Sequence, residues 1–131
     1  MNKAVFLDRD GTINVDYGYV HEPEKFELLP GVEEGLRRLQ EKGYLLIIVT
    51  NQSGIGRGYF TEQAYIEFQN YIDNYFKDKG IIITAQYYCP HIDTDNCSCR
   101  KPQTGLYEEA ANEFKIDWEQ SFVIGDRIRD L

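Results

Sequence analysis

Apolar residues in this chain fall into short continuous runs separated by stretches in which they recur every three or four positions. That alternation of strand and helix builds a parallel sheet. Val5-Phe6-Leu7 is apolar at every position and ends in Asp8-Arg9-Asp10-Gly11-Thr12, as a strand buried on both faces would where its C-terminal end meets solvent. Residues 13–27 carry several aromatics and Pro23 without a sustained period, which predicts a structured loop over that strand end. Pro30 and Gly31 introduce a helical pattern with Val32, Leu36 and Leu39 on one face, and Gly43 stops it. Tyr44-Leu45-Leu46-Ile47-Ile48-Val49 is a second apolar strand, running into Thr50-Asn51-Gln52-Ser53-Gly54. Strand, helix and strand form one βαβ unit.

Thr61 is a suitable N-cap for a longer helix whose buried stripe is expected at Ala64, Phe68, Ile72 and Phe76, with Tyr65, Tyr71 and Tyr75 beside it. Gly80 closes that helix, and Ile81-Ile82-Ile83 leads into a third strand around Gln86-Tyr87-Tyr88. Leu106, Ala110 and Phe114 mark a shorter helix, and Phe122-Val123-Ile124 a last strand ending in Gly125-Asp126. The expected fold is α/β: one Rossmann-like domain over residues 1–131, with a parallel sheet flanked by helices. No helical pattern follows the last strand to cover it, so the C-terminal part of the domain is expected to be missing.

Charge narrows the partners. The formal net charge is -8, from 22 acidic and 14 basic side chains, which argues against a general grip on nucleic acid. No apolar run is long enough to span a bilayer and no leader precedes the first strand, so the expectation is a cytoplasmic monomer without a membrane partner.

Candidate chemistry gathers at the strand ends. Asp8 and Asp10 repel each other, so a positive group belongs beside them, most simply a divalent cation held by oxygen ligands. Thr50 with Asn51, Lys101, and Asp126 with Asp130 fall at or just beyond equivalent strand ends. In an open α/β sheet these ends face one crevice. Together they suit phosphoryl transfer: Asp8 as nucleophile, Asp10 as acid and base, Thr50 and the amides after it as hydrogen-bond donors, and Lys101 as counter-charge. Asp126 is placed to ligate Mg²⁺, with Asp130 a further ligand, a holder of metal-bound water or a partner of Lys101. A receiver-like phosphoacceptor would also use acidic groups, Thr, Lys and Mg²⁺, but Asp10 two residues after Asp8 favours hydrolysis over signalling. A decayed interaction module is the remaining alternative.

All three cysteines lie between residues 89 and 99, too few and too local for a disulfide scaffold. Cys89, His91, Cys97 and Cys99 are a complete thiolate and imidazole set for a closed, structural Zn²⁺ site in the loop 89–99.

The Asp8-Arg9-Asp10-Gly11-Thr12, Thr50-Asn51, Lys101 and Gly125-Asp126/Asp130 segments resemble the four motifs of the haloacid dehalogenase-like phosphatases. The resemblance implies a Mg²⁺-dependent phosphomonoesterase whose metal is held by the Asp8 carboxylate, the Asp10 backbone carbonyl and Asp126. A narrower likeness, carried by residues 50–58, the cysteine loop and Cys99-Arg100-Lys101-Pro102, is to the D,D-heptose 1,7-bisphosphate phosphatase and histidinol-phosphatase group. Residues 13–16, 18–21 and 56–61 are similar to the heptose branch, whereas the five residues between His91 and Cys97 are common to both. The resemblance implies a small phosphorylated sugar as substrate, with Asn51 and Gln52 among the phosphate-binding residues and Arg57 and Arg100 facing the substrate. Histidinol phosphate is the alternative.

Overall fold

A computed structural model describes residues 2–91, 97, 101 and 105–125. The described residues form four strands, β1 (Ala4–Leu7), β2 (Leu45–Asn51), β3 (Ala85–Cys89) and β4 (Phe122–Ile124); β3 is the mixed stretch after Ile81-Ile82-Ile83, and that apolar run itself lies outside the strand. They lie in the order β3-β2-β1-β4, and every pairing is parallel. The helices are α1 (Val32–Glu41), the one-turn α2 (Ser53–Gly56), α3 (Glu62–Lys77) and α4 (Gly105–Phe114).

Register divides the core. Val5 pairs with Leu46 and Leu7 with Ile48, and these four side chains share one face with Leu36 of α1 and Phe68, Ile72 and Phe76 of α3. Phe6 pairs with Ile47, and this opposite face packs Ala4, Val49, Tyr87 and Cys89 against Leu106 and Ala110 of α4. The period of two in a strand therefore sends neighbouring residues into different hydrophobic layers. Truncating a buried residue such as Ile72 to Ala would cost about 2–5 kcal/mol.

The longer helix differs from its expected stripe. Tyr65, Phe68, Ile72 and Phe76 are its buried residues, while Ala64 is only half-buried. Phe68 and Ile72 lie three and seven residues after Tyr65 on the same helix face, which brings the Tyr65 ring beside Arg9, just beyond the C-terminal end of β1. Thr61 caps the helix as expected, its hydroxyl accepting from the Ala64 amide at 3.0 Å. β2 runs on to Asn51, two residues beyond its apolar run, because Thr50 and Asn51 still pair with Tyr88 and Cys89 of β3.

β4 is apolar but open to solvent: Phe122, Val123 and Ile124 are 56%, 39% and 43% exposed, against no more than 4% anywhere in β1. Among the described residues no helix is long and apolar enough to cross a membrane.

Candidate active site

β1 ends at Leu7, and the chain then makes a knot. The Arg9 carbonyl accepts from the amides of Thr12, Ile13 and Asn14 at 3.1, 2.8 and 3.2 Å, and the Gly11 amide donates back to the Asn14 carbonyl at 2.7 Å. Gly11 turns the chain with φ at 85°, a left-handed conformation that suits glycine. Asp8 is fixed at the root of the knot. Its amide donates to the Ile124 carbonyl at 3.0 Å, its Oδ1 accepts from the Arg9 amide at 2.9 Å, and the same oxygen is 3.6 Å from Lys101 Nζ. Both members of that ion pair are buried, so the attraction acts where water screens it poorly.

Asp10 is held by side chains. Arg9 Nη2 donates to its Oδ1 and Oδ2 at 2.8 and 3.0 Å, Asn14 Nδ2 to Oδ1 at 3.0 Å and Gln52 Nε2 to Oδ2 at 3.2 Å. Arg9 is itself fully buried, its guanidinium carbon 5.0 Å from the Phe68 ring centre and 5.7 Å from that of Tyr65, and Nη2 also donates to the Val20 carbonyl. Burial works against the Arg9 charge, but Tyr65, Asp10 and Asp8 outweigh it and hold its pKa above the ordinary arginine value. The Tyr65 hydroxyl is pushed up to about 12 by burial, with Arg9 pulling it the other way.

At the end of β2 three consecutive residues divide their tasks. Thr50 is buried, and its hydroxyl accepts from Gln52 Nε2 at 3.0 Å, so Gln52 bridges Thr50 and Asp10. Asn51 grips the backbone of Lys101, accepting from its amide at 2.9 Å and donating to its carbonyl at 3.5 Å. The side chains of Asn51 and Gln52, expected from resemblance on a phosphate, thus also set the positions of Lys101 and Asp10. Arg57 is exposed at the end of α2, with Nε 3.4 Å from Ser53 Oγ. Arg100, Asp126 and Asp130 lie outside the described residues.

A second cluster adjoins the first. One ligand atom each from Cys89, His91 and Cys97 lies within 4.8 Å of the others, with Cys89 Sγ 3.5 Å from His91 Nδ1 and 3.4 Å from Cys97 Sγ. A tetrahedral zinc centre with Zn–S near 2.3 Å places its ligand atoms about 3.5–3.8 Å apart, so these three donors fit it. Cys89 is joined in a disulfide in this structure, whereas a zinc ligand is a thiolate. Cys99 lies outside the described residues. The two clusters share backbone, for the Gln52 amide donates to the Cys89 carbonyl at 2.8 Å and the Gly56 amide to the Pro90 carbonyl at 2.9 Å.

Sequence reasoning gave Arg9 and Asn14 no task. A signal for Arg9 was present: counting by two from Val5 and Leu7 puts residue 9 on the face covered by α1 and α3, where a charge needs a buried partner. Asn14 carried none, since its approach to Asp10 depends on the knot.

Comparison with known proteins places this geometry. The family model described as polynucleotide kinase 3 phosphatase matches residues 3–129. The chain is 50% identical over 125 residues to the probable D-glycero-D-manno-heptose-1,7-bisphosphate 7-phosphatase of Thermoplasma volcanium, covering 95% of this chain and 86% of that protein. It is 46% identical over 137 residues to the D-glycero-beta-D-manno-heptose-1,7-bisphosphate 7-phosphatase of Haemophilus influenzae, covering 100% and 74%. The crystal structure of the D,D-heptose 1,7-bisphosphate phosphatase from B. bronchiseptica, complexed with magnesium and phosphate, superposes with a TM-score of 0.90 at 32% identity, covering 98% of this chain and 73% of that one. With its parallel sheet, its paired aspartates at the end of β1 and these relatives, the chain belongs to the haloacid dehalogenase-like phosphatases, in the heptose-bisphosphate phosphatase group.

Proposed function

We propose that this phosphatase removes the C7 phosphate of D-glycero-D-manno-heptose 1,7-bisphosphate through an aspartyl-phosphate on Asp8. The observation that carries the reading is the buried Asp8 carboxylate 3.6 Å from Lys101 Nζ, with the Asp10 carboxylate anchored two residues further on. A carboxylate oxygen of Asp8 attacks phosphorus as the bond to the sugar oxygen breaks, and Asp10 gives that oxygen its proton. Water then attacks the aspartyl-phosphate, Asp10 takes its proton, the phosphorus bond to Asp8 breaks and inorganic phosphate leaves. Lys101 and the Thr50 hydroxyl neutralise and orient the phosphoryl oxygens through both steps. Arg57 and Arg100 serve the phosphate that is kept, since a guanidinium fork matches it and a bisphosphate needs two anion sites.

Magnesium fits the oxygen donors of this site. The turn's hydrogen bonds gather on the Arg9 carbonyl, leaving the Asp10 carbonyl outside that knot, and Asp8 supplies a carboxylate beside it. Asp8, the Asp10 carbonyl and Asp126 would hold the ion, Asp130 supporting it, and its charge would offset that of the phosphoryl group. Zinc fits the Cys89, His91 and Cys97 donors once Cys89 is reduced, with Cys99 as fourth ligand and a structural role. A reducing cytoplasm would keep those thiols available, and the enzyme would act there as a monomer without nucleic acid or membrane.

The test is a panel of both anomers of heptose 1,7-bisphosphate together with histidinol phosphate, assayed with Mg²⁺ and with EDTA. The expected result is the largest kcat/KM on a heptose bisphosphate, with loss of turnover in EDTA. A larger kcat/KM on histidinol phosphate would overturn the substrate.

A further inference from the structure

Arg9 has the features of a group kept for something other than stability. It is fully buried, yet its Nε and Nη1 find no hydrogen-bond partner among the described residues, and its guanidinium carbon lies 5.0 Å from the Phe68 ring centre and 5.7 Å from that of Tyr65. A buried charge with unsatisfied donors is an expensive way to fill a core, and an apolar side chain of the same volume often does as well. What distinguishes Arg9 is where its remaining nitrogen points. Nη2 spans both oxygens of Asp10 and reaches the Val20 carbonyl, so one atom ties the carboxylate to the loop lying over it.

Asn14 and Gln52 complete the hold from other directions. Asn14 Nδ2 bonds Asp10 Oδ1 and the Val15 carbonyl, while Gln52 Nε2 bonds Asp10 Oδ2 and Thr50 Oγ1. Three donors from three places in the chain fix the plane and the rotamer of one carboxylate. The Phe68 and Tyr65 rings, packed over the guanidinium, in turn fix the arginine. Proton transfer is sensitive to such placement, because the carboxylate must first meet the leaving oxygen and then the attacking water without moving far.

We propose that Arg9, with Asn14, is a positioning residue for proton transfer by Asp10, holding the carboxylate in the geometry that both half-reactions require. This rests on the reading of Asp10 as acid and base. The Arg9 side chain bonds Asp10 and the Val20 carbonyl, and its effect on the reaction is exerted through Asp10.

The experiment compares Arg9→Met, Arg9→Lys, Asn14→Leu and Asp10→Asn on heptose 1,7-bisphosphate, whose sugar oxygen needs a proton to leave, and on p-nitrophenyl phosphate, whose phenolate does not. Phosphoenzyme is measured by acid quench. Arg9→Met is expected to lower kcat on the sugar phosphate roughly 10- to 100-fold with KM within about 3-fold, inside the range that acid–base catalysis supplies. On the aryl ester phosphorylation should be nearly normal and the second step slow, so aspartyl-phosphate accumulates. Arg9→Lys should recover a large part of kcat, because an ammonium still reaches the carboxylate. Asn14→Leu, which leaves Arg9 in place, should show the same pattern more weakly, and it decides the matter if Arg9→Met does not fold.

Equal losses on both esters without accumulating phosphoenzyme, or a change confined to KM, would mean that Arg9 is merely structural. Asp10→Asn separates the two levels. If it discriminates between the esters and the Arg9 and Asn14 variants do not, this inference alone falls. If Asp10→Asn does not discriminate, the acid–base reading falls and this inference with it.

Discussion

The two clusters at the ends of β1, β2 and β3 lie one short helix apart and are built from opposite materials. One gathers oxygen and charge: Asp8, Asp10, Thr50, Arg9 and Lys101, bound through ion pairs and side-chain hydrogen bonds. The other gathers sulfur and imidazole from Cys89, His91 and Cys97. Hard oxygen donors suit magnesium and soft donors suit zinc, so ligand type alone can sort two cations between neighbouring sites. The clusters are mechanically joined, since α2 is held to β3 by the bonds from Gln52 and Gly56 to the carbonyls of Cys89 and Pro90. A residue in that joint, Gln52, also donates to Asp10. The contrast sets donors suited to phosphoryl chemistry beside donors suited to a structural metal, with shared backbone between them.

The largest expected effect separates the clusters completely. Asp8→Asn should lower kcat by at least about 10⁴-fold, as loss of a nucleophile does, while zinc content measured by elemental analysis stays unchanged. Retained turnover in a clean preparation would remove Asp8 from its role. Lys101→Met should cost about 10²–10³-fold in kcat, comparable to losing one charged donor to a phosphoryl oxygen, again with zinc unchanged.

The next breaks the joint. A Cβ on Gly54 would fall 2.3 Å from Phe60 Cε1 and 3.1 Å from Tyr19 Cδ1, so α2 or the ring must shift. Gly54→Ala should cost about 1–3 kcal/mol of stability by overpacking. Activity should fall with it although no catalytic group is altered, and thermal melts beside steady-state assays would check this. Cys97→Ser works from the opposite side. It should abolish zinc binding and destabilise the fold by about 2–3 kcal/mol. The kcat loss should stay below about 10-fold; a loss as large as that of Lys101→Met would mean that the sulfur cluster takes part in the chemistry.

The smallest effect belongs to a residue outside both clusters. Burial raises the Asp73 carboxyl above its ordinary pKa, only partly offset by the hydrogen bond from Gln86 Nε2 at 2.8 Å. A carboxyl raised on folding stabilises the protein below its unfolded pKa, and that contribution is lost as pH rises through the folded value. At neutral pH the charged form is therefore a slight liability. Asp73→Asn keeps an acceptor for Gln86 and should stabilise the protein at pH 7 by less than about 0.5 kcal/mol, discounted for solvent screening. The gain should vanish toward pH 3, and melting curves at the two pH values would reveal it.

Much of this was legible in the sequence. The apolar runs placed β1, β2 and β4, Ile81-Ile82-Ile83 pointed only to the approach to β3, and the periodic segments placed α1, α3 and α4, because strand and helix each impose their own spacing on whichever side chains must avoid water. Asp8 and Thr50 were marked as candidates by their positions just past apolar runs and Lys101 by its place after the cysteine loop, and the structure brings Lys101 Nζ within 3.6 Å of Asp8. The one-turn α2 was not legible, since four residues are too few to show a period.

Chain-local spacing thus determined most of the elements and marked the aspartate pair at the end of β1 as a candidate site. Only the tertiary structure decided that Asn51 grips the Lys101 backbone fifty residues away, that Gln52 and Asn14 converge on Asp10, and that Tyr65 turns inward to cover Arg9. It also decided that β4 pairs beside β1 at the end of the order β3-β2-β1-β4. The reason is physical. Periodicity records which side of an element faces away from water, whereas a hydrogen bond between distant residues depends on strand order and register, which no single segment contains.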